Sequence, residues 1–160
     1  MNNVINTSLI CIYLIFSMVN VSCQKEEEGA PTEQKRIEKV EIDMGKVENE
    51  ALGIANSWLE LVDAGEYSES WDEAAKLFKG VISKDKWENT LSGARKPLGE
   101  LMKREVISRK YMTTMPGAPD GEYVVIQYKT SFENKKDAVE TVTPMKDEDG
   151  VWRVLGYYIK

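Results

Sequence analysis

Tyr123 to Met145 reads YVVIQYKTSFENKKDAVETVTPM. Two β-rich runs, Tyr123 to Phe132 and Ala138 to Met145, flank Glu133 to Asp137, whose Asn134-Lys135-Lys136 is polar and turn-forming. So short a connection can join only antiparallel neighbours. The pattern repeats downstream. Asp147-Glu148-Asp149-Gly150 turns the chain, and Trp152 to Ile159 forms a last strand. Upstream, the period becomes two after Lys103, where Val106 and Ser108 alternate with Ile107 and Arg109 on the way to Met112. The Pro- and Gly-rich stretch Pro116–Gly121 separates that strand from Tyr123. Four antiparallel strands result.

Before them the period is helical. Leu52, Ala55, Leu59 and Val62 share one face, with Trp58 beside them, and Gly65 ends the helix. Tyr67, Trp71, Ala74 and Phe78 outline a second helix that Gly80 closes, with Ser70 and Glu73 at capping-box spacing. Ser83 caps a third, carrying Trp87, Leu91, Ala94, Leu98 and Leu101, and Pro97 predicts a break near Arg95. The expected fold is α+β: three N-terminal helices on one face of a curved four-stranded antiparallel sheet.

The first 22 residues contain no charged side chain, and Leu9 to Val19 is apolar except for Ser17. Eleven helical residues span about 16 Å, well short of a bilayer core of about 30 Å, as suits the apolar region of a signal peptide. Val21-Ser22-Cys23 then gives way to Gln24-Lys25-Glu26-Glu27-Glu28. A small residue followed by Cys at such a boundary resembles a bacterial lipobox, although Asn20 stands where a branched apolar residue is usual. The resemblance implies lipidation of Cys23 and an envelope protein held by its lipid, facing the periplasm. The other readings are an ordinary signal peptide with an incidental Cys, or an uncleaved anchor. The expected organisation is a signal segment 1–22, a flexible charged tether 23–46 and one domain 47–160.

Composition excludes much chemistry. The chain has 160 residues and no His, and its two Cys fall at 11 and 23, leaving the domain without a thiol. Catalytic triads built on His and His-ligated metal sites are therefore absent, and no cofactor is expected. Twenty-one basic against 27 acidic residues give a charge of −6, the wrong sign for a nucleic-acid binder. The acidic turn Asp147 to Asp149 lacks the spacing of a calcium loop.

From Ser57 to Lys79, SWLELVDAGEYSESWDEAAKLFK resembles the start of the bacterial domain-of-unknown-function family 4019. Pro116 to Lys160 resembles its C-terminal half, and Trp87, Arg95, Pro97 and Leu98 fit the stretch between. The family is similar to nuclear-transport-factor-2-like domains. The resemblance thus implies a cone-shaped roll and transfers no catalytic residue.

Strict alternation puts Trp152, Val154 and Tyr158 on one face of the last strand and Val151, Leu155, Tyr157 and Ile159 on the other. Both faces are apolar, as Tyr123 to Tyr128 also suggests. Helices can cover only one, so a homodimer through the outer sheet face is expected. Residues placed at an internal pocket are Arg95, Tyr111, Gln127, Tyr128, Glu140, Arg153 and Tyr157. Such a pocket would hold a small apolar ligand, and an envelope protein is the further partner class. In the rival, enzymatic reading, a buried Glu140 abstracts a proton while Tyr111 or Tyr128 stabilises an oxyanion, as in an isomerase or dehydratase. A plainer reading pairs Glu140 with Arg153 across neighbouring strands. The favoured function is binding without catalysis.

Overall fold

The computed structural model describes the backbone from residue 33 to 160 and side chains from residue 44. The expected signal segment 1–22, Cys23 and the expected tether up to residue 32 lie outside the described residues.

The order is α1 (Glu33–Ala64), α2 (Tyr67–Asp72), α3 (Lys76–Val81), α4 (Lys84–Arg95), a 3-10 turn (Lys96–Leu98), β1 (Leu101–Met112), β2 (Tyr123–Phe132), β3 (Ala138–Lys146) and β4 (Trp152–Ile159). The strands form one antiparallel sheet in sequence order. Among the described residues the architecture is α+β, with four α-helices rather than three. The expected second helix is broken at Ala74-Ala75. Ala75 is extended (ψ 148°) and fully buried, and its N–H donates to the Val154 carbonyl at 2.9 Å. Docking this segment on β4 satisfies its backbone better than continuing the helix would. Ser70 consequently caps nothing. It lies inside α2, donates to the Tyr67 carbonyl and accepts the Trp87 indole N–H.

Helix α1 begins at Glu33, within the stretch read as a tether. Glu, Gln, Lys and Arg are among the strongest helix formers, and Ile37, Val40 and Met44 carry a helical spacing into this helix. At its other end α1 stops at Ala64, where Gly65 takes a φ of +81°. Helix α4 ends at Arg95, and Pro97 follows in the 3-10 turn.

The main core joins Ala51, Ala55, Trp58, Leu59 and Val62 of α1 to inward residues of β2, β3 and β4, with Trp87 and Leu91 of α4. Trp58 lies 6.0 Å from Trp87 and 5.6 Å from Tyr157, and Phe78 meets Trp87 edge-on at 4.9 Å. The indoles of Trp58, Trp87 and Trp71 each find an acceptor: the Ser70 carbonyl, the Ser70 hydroxyl and the Ile82 carbonyl. Aromatic side chains therefore fill the space between helices and sheet.

Three register shifts correct the alternation. On β4, Thr143 faces Gly156 but Pro144 faces Val154, so Leu155 is an extra residue. Trp152, Val154 and Tyr157 consequently share the inward face, while Tyr158 turns out and is 63% exposed. On β1 the extra residues are Met102 and Ile107, so Leu101, Arg104 and Val106 point inward. A second, smaller cluster lies at one end of the other sheet face. There Tyr123 and Met145 pack with Ala75 under Leu77, Met112, Met115 and Leu155. Part of the outward apolar surface is thus covered by the chain's own loop and α3.

Candidate functional site

The principal polar feature of the interior is a charged cluster assembled from every main layer. Asp63 comes from the last turn of α1, two residues inside Gly65, one step along the stripe that buries Leu59. Arg95 closes α4. Arg104 points inward because of the β1 bulge at Met102, opposite Thr130 of β2. Glu140 of β3 follows Ala138 and precedes Val142 on the inward face. The bulge at Leu155 brings in Tyr157.

Arg104 joins the two acids through both edges of its guanidinium. Nε and Nη2 donate to Glu140 at 2.7 and 3.1 Å, and Nη1 and Nη2 donate to Asp63 at 2.6 and 3.0 Å. Arg95 Nη2 also donates to Asp63, at 2.6 Å. Two guanidinium charges thus face two carboxylates, and the set is neutral.

Glu140 is fully buried and accepts four bonds. The Thr130 hydroxyl donates to Oε2 at 2.6 Å and the Tyr157 phenol to Oε1 at 2.5 Å, beside the two from Arg104. A carboxylate offers about four lone-pair sites, so all are engaged. Burial by itself raises the acid's pKa, but the donors from Arg104, Thr130 and Tyr157 outweigh it and hold the carboxyl below its usual range. Burial and then the Glu140 charge push the Tyr157 phenol well above the ordinary tyrosine value. Burial, with a further contribution from Glu140, pushes Tyr128 up to about 12. Both phenols stay protonated, and Tyr128 donates to Asn56 at 2.9 Å. Burial lowers the Arg104 pKa, but its bonds to Asp63 and Glu140 raise it further.

Arg95 is the least satisfied member. It is 5% exposed, its guanidinium lies 4.2 Å from the centre of the Phe132 ring, and its Nε and Nη1 have no hydrogen-bond partner among the described residues.

Of the seven residues placed at a pocket, the structure brings together Arg95, Tyr128, Glu140 and Tyr157. The other three lie elsewhere. Tyr111 sits near the far end of β1, where its backbone N–H donates to Glu48. Gln127 faces outward and accepts from Ser108 at 3.2 Å. Arg153 holds Asp147 and Asp149 at the β3–β4 turn. It pairs in register with Met145, and Glu140 with Ile159, so the expected Glu140–Arg153 pair does not form. Instead Arg153 draws Asp149 down to about 2.

Asp63, Arg104 and Thr130 escaped the sequence reading. Thr130 was legible by parity with Tyr128 and Ile126. Arg104 shares parity with Val106, but Lys103 and Glu105 beside it give it the look of a solvated strand end. Asp63 stands alone as an acid next to an apolar stripe, a weak signal.

Among the described residues, no cluster of His, Cys, Asp and Glu could hold a metal ion, and no helix is long and apolar enough to cross a membrane. No curated protein matches the chain. Residues 54–157, which include every member of the charged cluster, match a family described as "Protein of unknown function (DUF4019)", and the chain belongs to that family.

Proposed function

We propose that this chain is an exported, lipid-anchored envelope domain that binds partners without transforming a substrate, built as a nuclear-transport-factor-2-like cone. The state of Glu140 carries the non-catalytic reading. A general base needs a free lone pair facing its substrate, and every lone pair of this buried acid accepts a bond from the protein. Its lowered pKa also opposes proton uptake. The aromatic filling beside it favours binding at the surface over an interior pocket. The rival isomerase or dehydratase would need Glu140 released from Arg104 and Tyr157.

Export and the lipid anchor are supported by the sequence: the apolar stretch Leu9 to Val19 and Cys23 where polarity begins. The first partner we assign is a second copy, through the outer sheet face. Half-buried Val125, Val139, Thr141 and Thr143 and exposed Tyr158 support that contact, although Tyr123 and Met145 are already covered from within. An envelope protein is the other partner class.

Each part has its test. Replacing Cys23 by Ser should move the protein from the membrane fraction to the soluble one, and retention in the membrane would overturn the anchor. In solution the released chain should sediment as a dimer, and a monomeric mass would overturn the self-association. A turnover that disappears in a folded Glu140→Gln variant would overturn the non-catalytic reading.

A further inference from the structure

The second apolar cluster opens to the surface. Leu77 and Val81 of α3 form one wall of a groove, Pro119 of the loop between β1 and β2 forms the other, and Tyr123 and Met145 form the floor. The cavity is about 580 Å³. Sites for small organic molecules run from roughly 300 to 1,000 Å³. Val81 stands on the lip and is 82% exposed, which costs hydrophobic free energy unless something covers it.

The charges around the groove narrow the choice of occupant. Lys76 pairs with Glu148, Lys146 with Glu122, and Asp147 with Arg153. The Tyr123 hydroxyl donates to the Pro119 carbonyl. Among the described residues, Asp120 is the one charged group of the lining without an ion-pair partner. Each lysine of the lining already faces a carboxylate, and the Asp120 carboxylate adds a further negative charge, so the rim disfavours an anionic head group. Met112, Met115 and Met145 meet in the cluster, and their unbranched, polarizable side chains repack around different shapes.

We propose that the groove between α3 and the β1–β2 loop binds a small, largely apolar molecule that carries no negative charge. The proposal rests on the reading of a binding domain and gives it a site on the surface. N-phenyl-1-naphthylamine, neutral and fluorescent in apolar surroundings, is a suitable probe on the full chain, with its anionic relative 8-anilinonaphthalene-1-sulfonate as the contrast. The neutral probe should saturate at one per chain. Val81→Asp should weaken it at least tenfold while the circular dichroism and melting temperature stay as in the parent, since Val81 is exposed. Ile54→Asp, at a different groove beside Trp58 and Trp152, should leave binding unchanged. Absence of saturable binding, indifference to Val81→Asp, or equal affinity for the anionic probe would each overturn the proposal. So would a chain dimer that Val81→Asp dissociates, because the groove would then be a protein contact. Neither the Cys23→Ser fractionation nor a turnover assay reads this binding, so failure here is separable from failure of the anchor or of the non-catalytic reading.

Discussion

The two sides of the sheet are held by opposite means. Inside, Asp63, Arg104, Thr130, Glu140 and Tyr157 lock α1 to all four strands through short, directional bonds that each need a partner at a set angle. On the other face, Tyr123 and Met145 are held with Ala75 by apolar contact that tolerates repacking. A buried charge network resists change and punishes the loss of one member, whereas an apolar cluster yields gradually. The rigid side is therefore ill suited to admit a ligand, and the adaptable side opens into a groove.

The sharpest way to break this contrast is Arg104→Met. It leaves the buried Glu140 carboxylate without its cation and half-buried Asp63 held by Arg95 alone, and a loss of about 3–5 kcal/mol in urea unfolding is expected. A loss under about 1 kcal/mol would mean that the cluster contributes little. Acid probes the same group. The folded pKa of Glu140 lies below its unfolded value, so its contribution is complete above about pH 4.5 and is lost as pH falls through the folded value. Stability measured from pH 7 down to pH 2 should fall in that window, and Glu140→Gln should flatten that part of the decline.

On the apolar face, Met145→Ala should cost about 2 kcal/mol, the low end for such truncations, because the groove above lets neighbours settle into the space. Arg95→Met should cost about 1–2 kcal/mol in the same assay. It removes one bond to Asp63 and the contact with Phe132, but it also removes two buried donors without partners. The smallest effect belongs to Met145→Leu, which conserves volume and should change stability by less than about 1 kcal/mol. If Met145→Leu proves as damaging as Arg104→Met, the two faces do not differ in the way described.

How far all this was legible depended on whether local pattern or long-range pairing decided the outcome. The strand spans Tyr123–Phe132 and Trp152–Ile159 coincide with the structure, because turn chemistry and period two act over a few residues. The break at Arg95 was equally local, through Pro97. The split of the second helix was not, since its cause is a backbone bond from Ala75 to Val154, 79 positions along the chain. The early start of α1 is faint in the sequence, because the spacing of Ile37, Val40 and Met44 lies among charged residues that serve both spacers and helices. For the interior cluster, Glu140, Arg95 and Tyr157 stood out as polar groups within buried patterns. Arg104 was hidden by the bulge at Met102, and without Arg104 the role of Glu140 could not be read: a carboxylate that looked free to take a proton is saturated.

The extra residue in β4 means that the strand is read in two frames, one before Leu155 and one after it. Removing Leu155 would merge them, and Trp152, Val154 and Tyr157 would then alternate along an unbroken strand and keep their inward face. Tyr157 would stay on Glu140 and Val154 beside Pro144, and the loss would be the contact of Leu155 with the outer apolar cluster. A single-residue deletion there would thus straighten the strand and keep its sides, whereas the same deletion in the middle of β3, which has no extra residue, would turn one end of that strand inside out.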